Sequence, residues 1–350
     1  MRCEDVFLAG TGRWLPPVRT VADAVADGSC TARAVAGTQM TGATVSADLA
    51  APQMAALAVR EAVARAFVDP DTVDRLLYAD VYYQGHDMWA PASYVQREAL
   101  GARASAVELR QMSNGGMAAL ELAAVELDAA RRPTTVVVAA GDRFCLPGID
   151  RWASDPGTVF GDGAAALVLS STTGFARLRS VVTVADPGLE GMHRGLDAFG
   201  PAPFSAREPL DVKTCQRAYL STVPVAQAVT RTASGQRRAV ERALAEAGVE
   251  FGDVDWFLVP HFGRRRLDAV YLEAFGIPVE RTTWSWFRSV GHLGAADQFA
   301  GLDRLAQDGS LRAGQRVLLV GAGAGFTWSA AVVEVLDEPW WSGSVPVAAH

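Results

Sequence analysis

Apolar residues recur at helical spacing from Met54-Ala55-Ala56-Leu57-Ala58-Val59 through Phe67, and Asp69-Pro70-Asp71-Thr72-Val73 then interrupts the pattern. A strand-like stretch follows, from Leu76-Leu77-Tyr78 to Val81-Tyr82-Tyr83. The spacing next predicts a helix from about Ala92 to Leu100, a short strand near Ala106 to Leu109, a helix from about Asn114 to Arg131, and a strand Val136 to Ala140. Phe160-Gly161-Asp162-Gly163 opens a further apolar strand, Ala164 to Leu169, which closes a first half near residue 175. Pro187, Pro201, Pro203 and Pro209 break up residues 176–235, where strands and substrate-facing loops are expected. Alternation then resumes with a helix near Gln236 to Ala247, a strand Trp256 to Val259, a helix within Arg264 to Phe275 and another from about Ala295 to Ala306. Two final strands, Arg316 to Val320 and Thr327 to Val335, flank a glycine-rich turn. This alternation specifies the α/β class in packed layers, with a second half that resembles the first.

At 350 residues and 37.1 kDa the chain exceeds one ordinary core, so two domains or one large pseudo-duplicated unit are expected. Half of the residues are hydrophobic and 20% charged, which excludes a disordered chain. The net charge of −7 offers no global positive field for a nucleic-acid backbone. Cys3, Cys30, Cys145 and Cys215 are scattered, fitting neither a zinc site nor a disulfide framework, so neither a metal nor an oxidising compartment is expected. The acidic N-terminus lacks a secretory pattern and no apolar run approaches ~18 residues, so the expected location is the cytoplasm, away from the membrane.

Ser113 stands where a strand ends and an Ala/Leu-rich helix begins, in Arg110-Gln111-Met112-Ser113-Asn114-Gly115-Gly116-Met117. Backbone N–H groups there can support negative charge, although a serine in that place is more often a helix cap. Gln111 also replaces the first glycine of a G-x-S-x-G elbow. A serine nucleophile needs a base, to be drawn from His86, His193, His261, His292 and His350. His261 follows a strand directly, and His292 lies in Gly291-His292-Leu293-Gly294-Ala295-Ala296-Asp297. Asp297 can turn back to the His292 ring, or simply be a first-turn helix acid. Gly321-Ala322-Gly323-Ala324-Gly325-Phe326 is followed by β-formers rather than by a helix, which favours a tight turn with exposed N–H groups over a dinucleotide loop.

Together these segments resemble the ketoacyl-ACP synthase III family of the thiolase superfamily: Phe160-Gly-Asp-Gly-Ala is similar to its FGDGA segment, Gly323-Ala-Gly-Phe-Thr-Trp to its GGGxTW turn, and Ser113 falls at its cysteine. The resemblance implies a thiolase-like fold of two pseudo-duplicated α/β halves, residues 1–175 and 176–350, in a five-layered αβαβα architecture. It also implies a homodimer built through the N-terminal halves. The family's Cys-His-Asn set would correspond to Ser113, His261 and His292, so two of three catalytic positions differ. In the family the His and Asn hydrogen-bond the thioester carbonyl of malonyl-ACP during decarboxylation. The G-H-x-G-A-x-D pattern with serine is similar to a subgroup typified by DpsC of anthracycline assembly, related to the acyltransferase CerJ.

The implied activity is acyl transfer in polyketide or secondary-metabolite biosynthesis. A short acyl group would pass from coenzyme A or an acyl carrier protein (ACP) phosphopantetheine thioester to Ser113, with His292 as base and Asp297 as orienter. Ser113 and Gly325 N–H groups would form the oxyanion hole, with His261 as auxiliary donor. The acyl group would then go to an ACP thiol, condense with malonyl-ACP, or pass to a hydroxyl or amine; no permanently bound cofactor is implied. Pro156 stands where family members often carry a coenzyme A-contacting arginine, and the tryptophan motif near residue 32 is absent. A reading from another class is a non-catalytic subunit that gates a starter unit.

Overall fold

In a computed structural model, which describes residues 1–343, nine strands form one sheet in the order β5-β4-β6-β7-β1-β8-β11-β10-β9. The strands are β1 (Phe7–Trp14), β2 (Val18–Thr20), β3 (Gly42–Thr44), β4 (Arg75–Ala79), β5 (Ser105–Leu109), β6 (Thr135–Asp142), β7 (Gly163–Ser170), β8 (Ala176–Ala185), β9 (Trp256–Leu258), β10 (Arg316–Gly323) and β11 (Thr327–Val335). Strands β2 and β3 form a separate hairpin-like pair. His350 lies outside the described residues.

The sheet consists of two groups of strands joined at Phe7↔Arg177 and Leu8↔Ala176. Within each group the pairing repeats: β1-β7-β6 antiparallel then β4 parallel, and β8-β11-β10 antiparallel then β9 parallel. Helix Ala51–Arg65 covers the outer side of β1, β7 and β6, and helix Val225–Ala247 covers β8 and β11. Helices Gly115–Asp128 and Asp297–Gln307 lie between the two groups and touch strands of both. The result is helix, sheet, helix, sheet, helix, the expected five layers.

Burial explains the local patterns. Every residue of β7 is buried, so Gly163-Ala-Ala-Ala-Leu-Val-Leu-Ser shows an unbroken apolar run rather than alternation. Helix Gly115–Asp128 is apolar on most of its surface because both sides are covered.

Three expectations change. Residues 176–235 hold one strand, β8, and beyond the single turns Pro187–Leu189 and Gly191–Arg194 they hold helix Val212–Leu220 and the first turns of Val225–Ala247, since Pro187, Pro201, Pro203 and Pro209 all precede Asp211. The strand expected through Tyr83 ends at Ala79, where the N–H groups of Val81 and Tyr82 leave the sheet to donate to Asp142 Oδ1 at 2.9 and 2.8 Å. The helix expected within Arg264–Phe275 contains a π-helical turn, Asp268–Leu272.

Candidate active site

Ser113 sits between β5 and helix Gly115–Asp128, after Met112 at a positive φ of 51°. That conformation is costly for a side-chain-bearing residue and turns the chain sharply at the serine. Ser113 is not the helix cap; Asn114 holds that position, and its Nδ2 donates to Gln111 Oε1 (2.6 Å) and Ser329 Oγ (2.8 Å). The Ser113 hydroxyl is thereby left for His292, whose Nε2 is 2.8 Å away.

The histidine comes from the other half of the sequence. His292 N–H donates to Val159 O (2.8 Å), and Gly161 N–H donates to His292 O (2.9 Å), so the Phe160-Gly161-Asp162-Gly163 segment clamps the histidine backbone. Asp162 anchors that segment: it is fully buried and accepts from Ser46 N, Phe144 N and the Arg151 guanidinium. The Phe160 and Phe262 rings each lie 5.8 Å from the His292 ring and hold it between them.

His292 Nδ1 is 2.6 Å from Asp297 Oδ2. With the carboxylate ionised, Nδ1 carries the proton and Nε2 is left as an acceptor for the serine proton. Burial would raise the Asp297 carboxyl above its usual range, but the two imidazoles and their hydrogen bonds outweigh burial and hold it below. Its oxygens also accept from His261 N (2.8 Å) and Leu293 N (2.8 Å).

His261 is buried beside the same carboxylate. Its Nδ1 is 3.1 Å from Asp297 Oδ1 and 3.1 Å from Gly291 O, its ring stacks on Phe287 (4.3 Å, 9°), and the residue is 1% exposed. Burial lowers the pKa of the ring. His292 lines the cavity, whereas His261 is not part of its wall.

The cavity encloses about 920 Å³, with Ser113 and His292 on its wall beside Phe160, Phe262, Phe326 and Trp328. Ala324 and Phe326 line it on either side of Gly325, which lies in the β10–β11 turn. Gly116 fixes the approach of the two halves, because a Cβ there would overlap Ala295 O, immediately before the Ala296-Asp297 step. Pro156 O accepts from Arg266, whose guanidinium also pairs with Asp155 at 2.7 Å. The sequence holds His193 only as one of five possible bases and gives no sign of Tyr271; both are on the cavity wall, and neither sits in a motif that would single it out.

Among the described residues no helix is long and apolar enough to cross a membrane, and no group of three His, Cys, Asp or Glu side chains is arranged to hold a metal.

The family description "3-Oxoacyl-[acyl-carrier-protein (ACP)] synthase III C terminal" matches residues 244–335. Curated relatives include the β-ketoacyl-[acyl-carrier-protein] synthase III of Thermosynechococcus vestitus, 31% identical over 80% of this chain and 82% of the relative. That of Methylococcus capsulatus is 28% identical over 82% and 84%. Among solved structures, the acyltransferase ChlB3 superposes with a TM-score of 0.90 at 39% identity, covering 97% of this chain and all of the other. FabH from Pseudomonas aeruginosa, at 23% identity and a TM-score of 0.76, shares the fold over 98% of this chain and all of its own. A serine, histidine and aspartate joined by hydrogen bonds thus stand in an enzyme scaffold built for acyl transfer, and the chain is a member of the β-ketoacyl-ACP synthase III family.

Proposed function

We propose that the protein takes an acyl group from a coenzyme A or ACP thioester onto Ser113 and passes it to an acceptor. The observation that carries this reading is the unbroken line Ser113 Oγ, His292 Nε2, His292 Nδ1, Asp297 Oδ2, with spacings of 2.8 and 2.6 Å across its two hydrogen bonds. Serine holds almost no anion near neutral pH, so its attack depends on such a base. In the first step Ser113 Oγ bonds to the thioester carbonyl carbon while His292 Nε2 takes the hydroxyl proton. The N–H groups of Ser113 and Gly325 support the oxyanion. The C–S bond then breaks and the imidazolium returns its proton to the departing thiolate. In the second step the acceptor attacks the acyl ester, His292 takes its proton, and the C–O bond breaks as Ser113 is reprotonated.

Transfer is favoured over decarboxylative condensation with malonyl-ACP by His261, whose ring faces Asp297 and Gly291 rather than the cavity. A donor to the malonyl thioester carbonyl would have to reach into the cavity. The likeness to a solved acyltransferase supports the same preference. The acceptor is an ACP thiol, or a hydroxyl or amine of a natural product, in the supply of polyketide starter units; the subgroup typified by DpsC fits the Ser-His-Asp set. Division into halves at residues 175/176, assembly as a homodimer and a cytoplasmic location belong to the same proposal.

Intact-protein mass spectrometry after adding acyl-CoA tests it. An added acyl mass on the wild type and none on Ser113→Ala is expected. An unlabelled wild-type protein, with carrier-protein thioesters also failing, would favour a non-catalytic starter-gating subunit.

A further inference from the structure

A second group of polar side chains lines the same cavity, apart from the Ser-His-Asp set. Tyr271 is 1% exposed, and its hydroxyl has no hydrogen-bond partner among the described residues. A buried hydroxyl left unpaired is costly, and native proteins rarely keep one without use. Its placement is also unusual. Tyr271 belongs to the π-helical turn Asp268–Leu272, a rare form concentrated at functional sites, and Gln236 Nε2 secures that turn by donating to Val270 O at 2.7 Å.

The same wall carries His193, packed edge-on against Phe326 (5.6 Å, 74°) beside the glycine-rich turn. The Arg266 guanidinium, which Asp155 and Thr158 hold in place at 2.7 Å each, lies 5.1 Å from the Phe262 ring centre, and its charge acts on both His193 and Tyr271. Burial lowers the His193 pKa and raises that of Tyr271, so a neutral imidazole and a protonated phenol face the cavity. Phe262 spans the space from this wall to the base, its ring 6.4 Å from Tyr271 and 5.8 Å from His292.

We infer that Tyr271 and His193 form a subsite for a hydroxyl or carbonyl oxygen carried on the acyl group, so that the cavity selects oxygenated acyl chains over plain alkyl ones. The inference rests on the acyl-transfer reading. Tyr271 donates its O–H to that oxygen, and His193 accepts from or donates to it. A site that buries polar groups rejects a ligand that leaves them unpaired.

The test is equilibrium binding, by calorimetry, of pantetheine thioesters to the Ser113→Ala protein, which removes turnover. Butyryl is compared with 3-hydroxybutyryl and 4-hydroxybutyryl, and pentanoyl with 5-hydroxypentanoyl. At least one hydroxylated thioester is expected to bind about tenfold more tightly than its alkyl partner, the worth of one neutral hydrogen bond. The preference is expected to collapse in Tyr271→Phe, and to shrink in His193→Leu, with folding checked by circular dichroism. Binding with no hydroxyl preference, or a preference that survives Tyr271→Phe, overturns the subsite alone. Failure of every thioester to bind overturns the acyl-thioester reading with it.

Discussion

The ring Nδ1 of His261 stands 3.1 Å from Oδ1 of Asp297, on the carboxylate oxygen that does not face His292. Asp297 is therefore gripped on both oxygens, with Leu293 N and His261 N completing the shell. Three hydrogen bonds hold it, two on Oδ2 and one on Oδ1, so the carboxylate cannot rotate away from His292 without losing hydrogen bonds on both sides. In a buried site those losses are not replaced by water.

Asp297→Asn should lower the rate of Ser113 acylation by ~10⁴ while the protein stays folded, because an amide presents the wrong partner to His292 Nδ1. His292→Ala should cost a similar factor, and the double variant little more, since members of one catalytic unit are not additive. Single-turnover acylation followed by mass spectrometry measures all three. Additive losses would separate the two residues into independent roles.

His261→Ala should slow acylation less, by roughly ten- to a hundredfold, the worth of a hydrogen bond to a charged group. Partial rescue distinguishes this positioning role from simple structural damage. His261→Asn keeps a side-chain donor beside Asp297 and should recover part of the rate, whereas His261→Leu, which fills the space without a donor, should not. Equal rates in the two variants would contradict the positioning role.

Gly116→Ala should separate the serine from its base, because the new Cβ overlaps Ala295 O between the helix that follows Ser113 and the segment carrying Asp297. Overpacking of this kind costs about 1–3 kcal/mol. Gly10→Ala is the matched control: its Cβ would overlap Ala62 O, between β1 and the outer helix Ala51–Arg65, away from the cavity. Both variants should melt lower, yet only Gly116→Ala should lose acylation rate out of proportion to its stability. Equal kinetic effects would mean that the approach at Gly116 does not set the site.

Asp80 gives a pH-dependent prediction on stability. It is 1% exposed, neither carboxylate oxygen has a hydrogen-bond partner among the described residues, and the Arg110 Nε is offset at 3.5 Å. Burial raises its pKa from 3.8 to about 7. Between those values the folded state binds more protons than the unfolded one, so stability falls as pH rises from about 4 to about 7 and the loss is complete above that. Asp80→Asn removes the ionisation. Its melting temperature relative to wild type should therefore be higher at pH 8 than at pH 5, and the opposite order would show that Asp80 gains more from Arg110 than burial costs it.

Particular residues explain what the sequence could and could not convey. Ser113, His292 and Asp297 were legible because the last two lie five residues apart and the first sits at a strand-to-helix junction. β1 went unread because Gly12 and Gly10 interrupt its apolar pattern; they are there so that helix Ala51–Arg65 can lie against the strand, where a Cβ would overlap the carbonyls of Ala58 and Ala62. The first turns of helix Val225–Ala247 were missed because Thr230, Thr232 and Ser234 dilute a face whose burial depends on β8 and β11, far away in the chain. The place of His261 after β9 marks it as a candidate donor, but the direction of its ring is set by Asp297, Gly291 and Phe287, a long-range arrangement that no local spacing encodes.

Ser113 stands just ahead of a helix from the early part of the chain, whereas His292 comes 179 residues later and Asp297 later still. During synthesis the serine therefore emerges long before its base exists, and an isolated first half has only an ordinary alcohol to offer a thioester. The reactive centre is armed by the docking of the two halves across Gly116 and Ala295. On the proposed mechanism this works as an interlock: nascent, cleaved or half-melted chains would be chemically silent toward the cell's pool of activated acyl groups, and acyl transfer would begin only once the whole molecule is assembled.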